Sequence, residues 1–137
     1  MLGMEYRIDD RKITAETFLA FAKRVWPGEY DLKKTRAALT RTLNITAYDG
    51  DTLVGCLRLL TDGYFFGTIT EILVLPEYQG RGIGTAICGQ LEQAAGGNIT
   101  THASITAKPF FEKRGYKVVK RQEVERNGVL LTNFVMK

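Results

Sequence analysis

The chain is poor in the residues that several common chemistries need. It has one histidine, His102, and two cysteines, Cys56 and Cys88, among 137 residues. Two lone cysteines in apolar surroundings form no disulfide framework and read as reduced core residues. His102 reads as a strand-end residue with its ring satisfied rather than as a base. No apolar run approaches the length of a membrane span, and the first residues lack a signal-peptide pattern. A cytoplasmic location is therefore expected, and the two Asn-Ile-Thr sequons at Asn44 and Asn98 count as chance matches. Long runs of one charge are also missing. The net charge is +4, but the basic runs are only pairs, Arg11-Lys12, Lys23-Arg24 and Lys33-Lys34, which read as solvated faces rather than as a nucleic-acid surface. With no repeat and no low-complexity stretch, the length suits one domain, residues 1–137, able to bury a core.

What the chain does have is a strand, a glycine turn and a helix over residues 69–95. The apolar, β-branched residues 69–75 stop at Pro76, which fixes φ and donates no backbone hydrogen bond. Gly80, Gly82 and Gly84 follow at alternate positions, where dihedrals closed to other residues are open. Ile83, Ile87, Leu91 and Ala94 then fall on one helical face, and Gly96-Gly97 ends the run. Such an arrangement points free backbone N–H groups at an anion, and Arg81 adds a permanent charge suited to phosphate. The segment reads as a diphosphate cradle.

Two familiar phosphate loops do not fit. A Walker loop needs a lysine that is absent here, and a dinucleotide fingerprint needs a third glycine where Ile87 stands. The string Gln79-Gly80-Arg81-Gly82-Ile83-Gly84 instead resembles the Gln/Arg-x-x-Gly-x-Gly/Ala signature of the GNAT superfamily of N-acetyltransferases. Ile72-Leu73-Val74-Leu75-Pro76-Glu77-Tyr78 looks like that family's fourth strand and its exit. Residues 104–116, from Ser104 through Phe110-Phe111-Glu112-Lys113 to Gly115-Tyr116, are similar to its late helix.

The other elements are read locally. Residues 4–8 alternate as a first strand. Thr14 and Asp31 cap two helices, one with Phe18, Phe21/Ala22 and Val25 on a face and the other with Leu32, Thr35, Leu39 and Leu43. Asp49-Gly50 joins strands 44–48 and 52–60, Asp62-Gly63 turns into residues 64–68, and Asn127-Gly128 makes a last hairpin. Residues 98–102 read as a strand, and Ser104 or Thr106 starts a helix that stops at Gly115. The predicted order is β-α-α-β-β-β-α-β-α-β-β, an α+β (mixed α/β) fold. The resemblance implies the same: an acyl-CoA N-acyltransferase fold, with a mixed, mostly antiparallel sheet and helices on both faces.

The resemblance further implies acetyl-CoA as cosubstrate and no metal. The amides of Gln79, Gly80, Arg81, Gly82, Ile83, Gly84 and Thr85 would take its diphosphate. Leu73, Val74 and Leu75 would match the bulged, splayed part of the fourth strand, whose backbone binds the pantetheine arm and polarises the thioester. Ser104, Phe110 and Phe111 are expected on the cofactor side. Attack by an amine needs a base, and Glu71, two residues before Leu73, is the candidate; solvent exposure or pairing with Arg58 is the alternative. Where the family often supplies a tyrosine to protonate the thiolate, this chain has Phe111. Tyr116 is the replacement expected, with Tyr78 and Ser104 as others, or no acid is needed. Trp26, Tyr30, Asp62 and Tyr64 stand where an acceptor pocket forms and suit a cationic or aromatic amine. A small-molecule or peptide amine is the partner expected, with a homodimer allowed and with neither nucleic acid nor membrane. The rival reading is a non-catalytic acyl-CoA-binding or sensor module on the same fold.

Overall fold

A computed structural model describes residues 3–62, 67–95, 99–105, 107–126 and 128–137. Tyr64, the Gly96-Gly97 stop, and the turn and start residues Gly63, Asn98, Thr106 and Asn127 lie outside the described residues. The elements run β1 (Met4–Arg7), α1 (Ala15–Val25), α2 (Leu32–Arg41), β2 (Leu43–Asp49), β3 (Thr52–Thr61), β4 (Gly67–Val74), α3 (Ile83–Ala95), β5 (Ile99–Ser104), α4 (Lys108–Lys113), β6 (Val118–Arg126) and β7 (Val129–Met136). This is the order expected from the sequence. The helix starts are set by side-chain acceptors for otherwise orphaned N–H groups. Thr14 Oγ1 accepts from the Thr17 N–H at 3.1 Å, and Asp31 Oδ1 from the Lys34 N–H at 2.8 Å.

One sheet holds all seven strands in the order β1-β2-β3-β4-β5-β7-β6, antiparallel throughout except between β4 and β5. That parallel pair is short: Gly67 stands opposite Ile99, Thr68 opposite Thr100 and Ile69 opposite Thr101, and the pairing stops there. β4 continues along β3 as far as Val74 opposite Gly55. Beyond Ile69, therefore, no strand among the described residues lies beside the edge of β4 turned away from β3. The ladder also slips by one, because Arg58 faces Glu71 while Leu59 faces Ile69, which leaves Thr70 as an extra residue. Thr70 Oγ1 donates to the Arg58 carbonyl at 3.1 Å across this bulge. The resemblance points to residues 73–75 for the bulge; it lies at Thr70, and the splay alone reaches those residues.

Helices cover both faces. α1 and α2 lie over the face that carries Arg58, Glu71 and Leu73. α3 lies over the opposite one, with Ile83, Ile87 and Leu91 buried and Ala94 exposed. On α2 only Leu39 of the apolar stripe is buried, and Leu32 is exposed. Both cysteines are free and buried. The seat of α3 depends on Gly55: a Cβ there would stand 2.8 Å from Ile87 Cδ1 and 3.1 Å from Ile83 Cγ2. Both isoleucines are buried, so they must shift within the packed core to make room. Gly55→Val should cost about 1–3 kcal/mol by overpacking. Thermal unfolding would measure it, and an unchanged midpoint would show that α3 yields.

Candidate active site

After β4, Pro76–Tyr78 form a short 3-10 turn, and the chain reaches α3 through two left-handed glycines, Gly80 at φ +77° and Gly82 at φ +83°. A side chain is strained at such angles, which is why glycine stands there. The first bond of the helix runs from the Ala86 N–H to the Gly82 carbonyl at 2.9 Å. The N–H groups of residues 82–85 therefore come before any intrahelical acceptor and point outward at the positive end of a 13-residue helix. A Cβ on Gly80 or Gly82 would meet nothing within 4 Å, so the space in front of these amides is open. Gly84 differs from the other two: it is an ordinary helical residue, with Phe110 and Val74 each 3.9 Å from where its Cβ would be. Ile83 sends its side chain into the core. Arg81 lies over the Tyr78 ring at 5.0 Å, and the Tyr78 hydroxyl donates to Asp49 Oδ2 at 2.7 Å. Gln79 turns back from the loop and donates through Nε2 to the Val74 carbonyl at 3.0 Å.

A cleft of about 410 Å³ opens beside the free edge of β4, lined by Ile72, Leu73, Val74, Gln79, Gly84, Ala107, Phe110, Phe111, Val25 and Trp26. Its walls are mainly apolar, and Gly84 joins it to the glycine turn. Phe110 and Phe111 meet edge to face at 5.1 Å, with Phe111 buried. Leu75, Ser104 and Tyr116, expected on the cofactor or catalytic side, are engaged elsewhere and do not line this cleft. The Leu75 N–H donates to the Val54 carbonyl at 2.9 Å and its side chain is buried, so it prolongs the β3–β4 ladder. Ser104 Oγ accepts from the Ala107 N–H at 3.1 Å and fixes the turn into α4. Tyr116 lines no cavity described here: its ring packs on Phe111 at 5.2 Å and is 8% exposed. Burial and the neighbouring Cys88 and Glu92 push its phenol well above the ordinary range.

A second cavity, of about 370 Å³, is lined by Phe18, Ala22, Trp26, Tyr30, Lys34, Thr35, Ala38, Arg58, Glu71 and Leu73. Trp26 and Leu73 belong to both hollows, so the two meet there. Trp26 is 64% exposed, and the Tyr30 hydroxyl donates to its carbonyl at 2.7 Å. Glu71 is at the second cavity but is not alone: Arg58 pairs with its Oε1 at 3.0 Å. The guanidinium also donates from Nε to Thr42 Oγ1 at 3.3 Å and lies over the Phe18 ring at 5.4 Å. Asp62, at the end of β3, lines neither hollow. Sequence reasoning missed Lys34, Thr35 and Ala38; their spacing on one side of α2 was the available signal. A third hollow, of about 540 Å³, lies between α1, α2 and residues 10–14, and its charges are paired internally: Arg36 with Glu16, Arg11 with Asp9, and Asp10 with Thr46 and Tyr48.

No described helix is long and apolar enough to cross a membrane, and among the described residues no three His, Cys, Asp or Glu side chains gather as a metal site. Compared with known proteins, residues 10–137 match the family profile described as an acetyltransferase (GNAT) domain. The uncharacterized N-acetyltransferase YafP of Escherichia coli is 45% identical over 69 residues, a match covering 50% of this chain and 45% of that protein. The chain spans less than two thirds of the length of the first curated relatives it matches. Among solved structures, a GCN5-related N-acetyltransferase from Rhodopseudomonas palustris superposes with a TM-score of 0.75 at 29% identity, covering 99% of this chain and 95% of that one. An aminoglycoside 6'-N-acetyltransferase solved with coenzyme A shares the fold, with a TM-score of 0.77 at 19% identity over 96% of this chain and 94% of that one.

Proposed function

Because the chain belongs to the GNAT family of acetyltransferases, we propose that it moves an acetyl group from acetyl-CoA to a primary amine. The observation that carries this reading is the meeting of two hollows at Leu73 and Trp26, one of them continuous with a turn of open amides. The residues fit the cosubstrate: glycines hold open the space before the amides, and an apolar cleft leads from it. In this reading the amides of residues 80–85 and Arg81 hold the diphosphate. Phe110, Phe111 and the free edge of β4 flank the arm, with Gln79 keeping the Val74 carbonyl in place. Acetyl-CoA supplies the acetyl group as a thioester, whose C–S bond breaks as the C–N bond to the amine forms.

Leu73 and Val74 offer backbone groups at the junction, where an N–H can polarise a carbonyl. Glu71 enters the second cavity two residues earlier and takes the proton from the amine, directly or through water. No side chain is assigned to protonate the thiolate. Phe111 carries no proton, and the Tyr116 hydroxyl is buried away from the cleft. A thiolate with a pKa of about 8.5 leaves without one. Trp26 and Tyr30 form walls for the acceptor.

Two measurements test this together. Calorimetry should show coenzyme A binding, and thiol release from acetyl-CoA should depend on an added primary amine. Binding without release on any amine would favour the non-catalytic acyl-CoA module; absence of binding would remove both readings.

A further inference from the structure

Building on the acetyl-transfer reading, we propose that the acceptor is an amine that also carries a carboxylate, bound by Lys34 and Arg58 in the cavity under α1 and α2. The charges lining that cavity are two cations, Lys34 and Arg58, and one anion, Glu71. The anion is already met by Arg58 at 3.0 Å. Among the described residues Lys34 makes no ion pair; Asp31 beside it caps α2 through the Lys34 N–H. A positive charge is therefore left over at the rim of the cavity, on the exposed side chain of Lys34.

This surplus decides between acceptor classes. A second ammonium on the acceptor would be repelled, and Asp62, the acid expected to receive one, is not at the cavity. Of the rings that could attract a cation, Phe18 is already covered by Arg58 at 5.4 Å, and Lys34 opposes a further like charge near Trp26 and Tyr30. A carboxylate is drawn to Lys34 and to the guanidinium of Arg58, which Thr42 and Phe18 hold in position. Lys34 is on α2, whereas Arg58 stands beside Glu71 on the sheet, so an acid held chiefly by Lys34 leaves the amine for Glu71 and the junction at Leu73. The rings between them suit an apolar or aromatic middle. The class is thus an amino acid or an amino-carboxylic acid with an apolar body.

The test compares amines of equal size that end in a carboxylate or in its carboxamide. The acid should be preferred at least tenfold in kcat/KM, less so at high salt. In Lys34→Ala the acid-to-amide ratio should fall to about one, and Lys34→Glu should invert it. Coenzyme A affinity, measured alongside, reports on the donor side. If coenzyme A fails to bind, the transferase reading falls and this proposal with it. If coenzyme A binds and amines are acetylated without preference for acids, or with the preference intact in Lys34→Ala, this proposal alone is overturned. Where no amine releases thiol, ligand-observed NMR on the coenzyme-loaded protein makes the same comparison with N-acetylated acids and amides, and equal binding overturns it.

Discussion

Gly82→Glu should weaken coenzyme A binding at least a hundredfold while the protein still folds. The substitution acts in two ways. It places a side chain at φ +83°, costing about 1–2 kcal/mol of stability. It also puts a carboxylate into the open space before the amides of α3, where no protein atom lies within 4 Å of the new Cβ. Against a bound diphosphate, unit charges about 4 Å apart at a protein surface repel by about 4 kcal/mol, more than the roughly 2.7 kcal/mol that a hundredfold loss requires. Gly82→Ala separates the two effects, since it carries the same backbone strain without the charge. Both variants should lose similar amounts of thermal stability, but the alanine variant should keep affinity within about tenfold. Titration calorimetry decides it: if the glutamate variant bound coenzyme A as well as the parent, the glycine turn would not be the diphosphate site.

Replacing Glu71 with Gln is expected to lower kcat about a hundredfold near neutral pH, the scale of a lost general base. The defect should shrink as the pH approaches the amine's own pKa of about 10, because the acceptor then arrives already deprotonated. Glutamine keeps an oxygen for Arg58, whose side chain is 15% exposed while that of Glu71 is 25% exposed. The stability cost should therefore fall between the about 0–1 kcal/mol of a surface pair and the about 3–5 kcal/mol of a broken buried one. The KM for acetyl-CoA should change little, since Glu71 does not line the cleft. A pH–rate profile of unaltered shape would leave Glu71 as a structural partner of Arg58.

Signals that act over a few residues were readable in the chain. Thr14 and Asp31 cap their helices because the N–H each accepts is three residues on, and Gly50, at φ +60°, turns the hairpin that Asp49-Gly50 predicts. Gly80 and Gly82 were legible as positive-φ positions for the same reason, whereas Gly84 turned out to be a close-approach position beside Phe110. Features that depend on distant partners were not. Pairing of Glu71 with Arg58 was readable as an alternative, but the slip at Thr70 that sets their register was not, because alternation along β4 alone does not show a slip. Tyr116 was the expected substitute for the tyrosine that Phe111 replaces. Gly115, at φ +89°, turns the chain so that the Tyr116 N–H returns to the Phe111 carbonyl at 3.0 Å and the ring goes inward. Lys34 read as half of a solvated pair, and it is exposed, but nothing local reveals that α2 shares a hollow with β3 and β4.

The brief contact between β4 and β5 leaves a strand-shaped vacancy inside the sheet, between β1 to β4 on one side and β5, β7 and β6 on the other. A guest stretched along it would bridge two halves that the polypeptide joins over only a few residues. Under the proposed function, the cohesion of the sheet and the occupancy of that slot are thermodynamically linked, so that a departing product would loosen the frame which the next donor molecule would tighten.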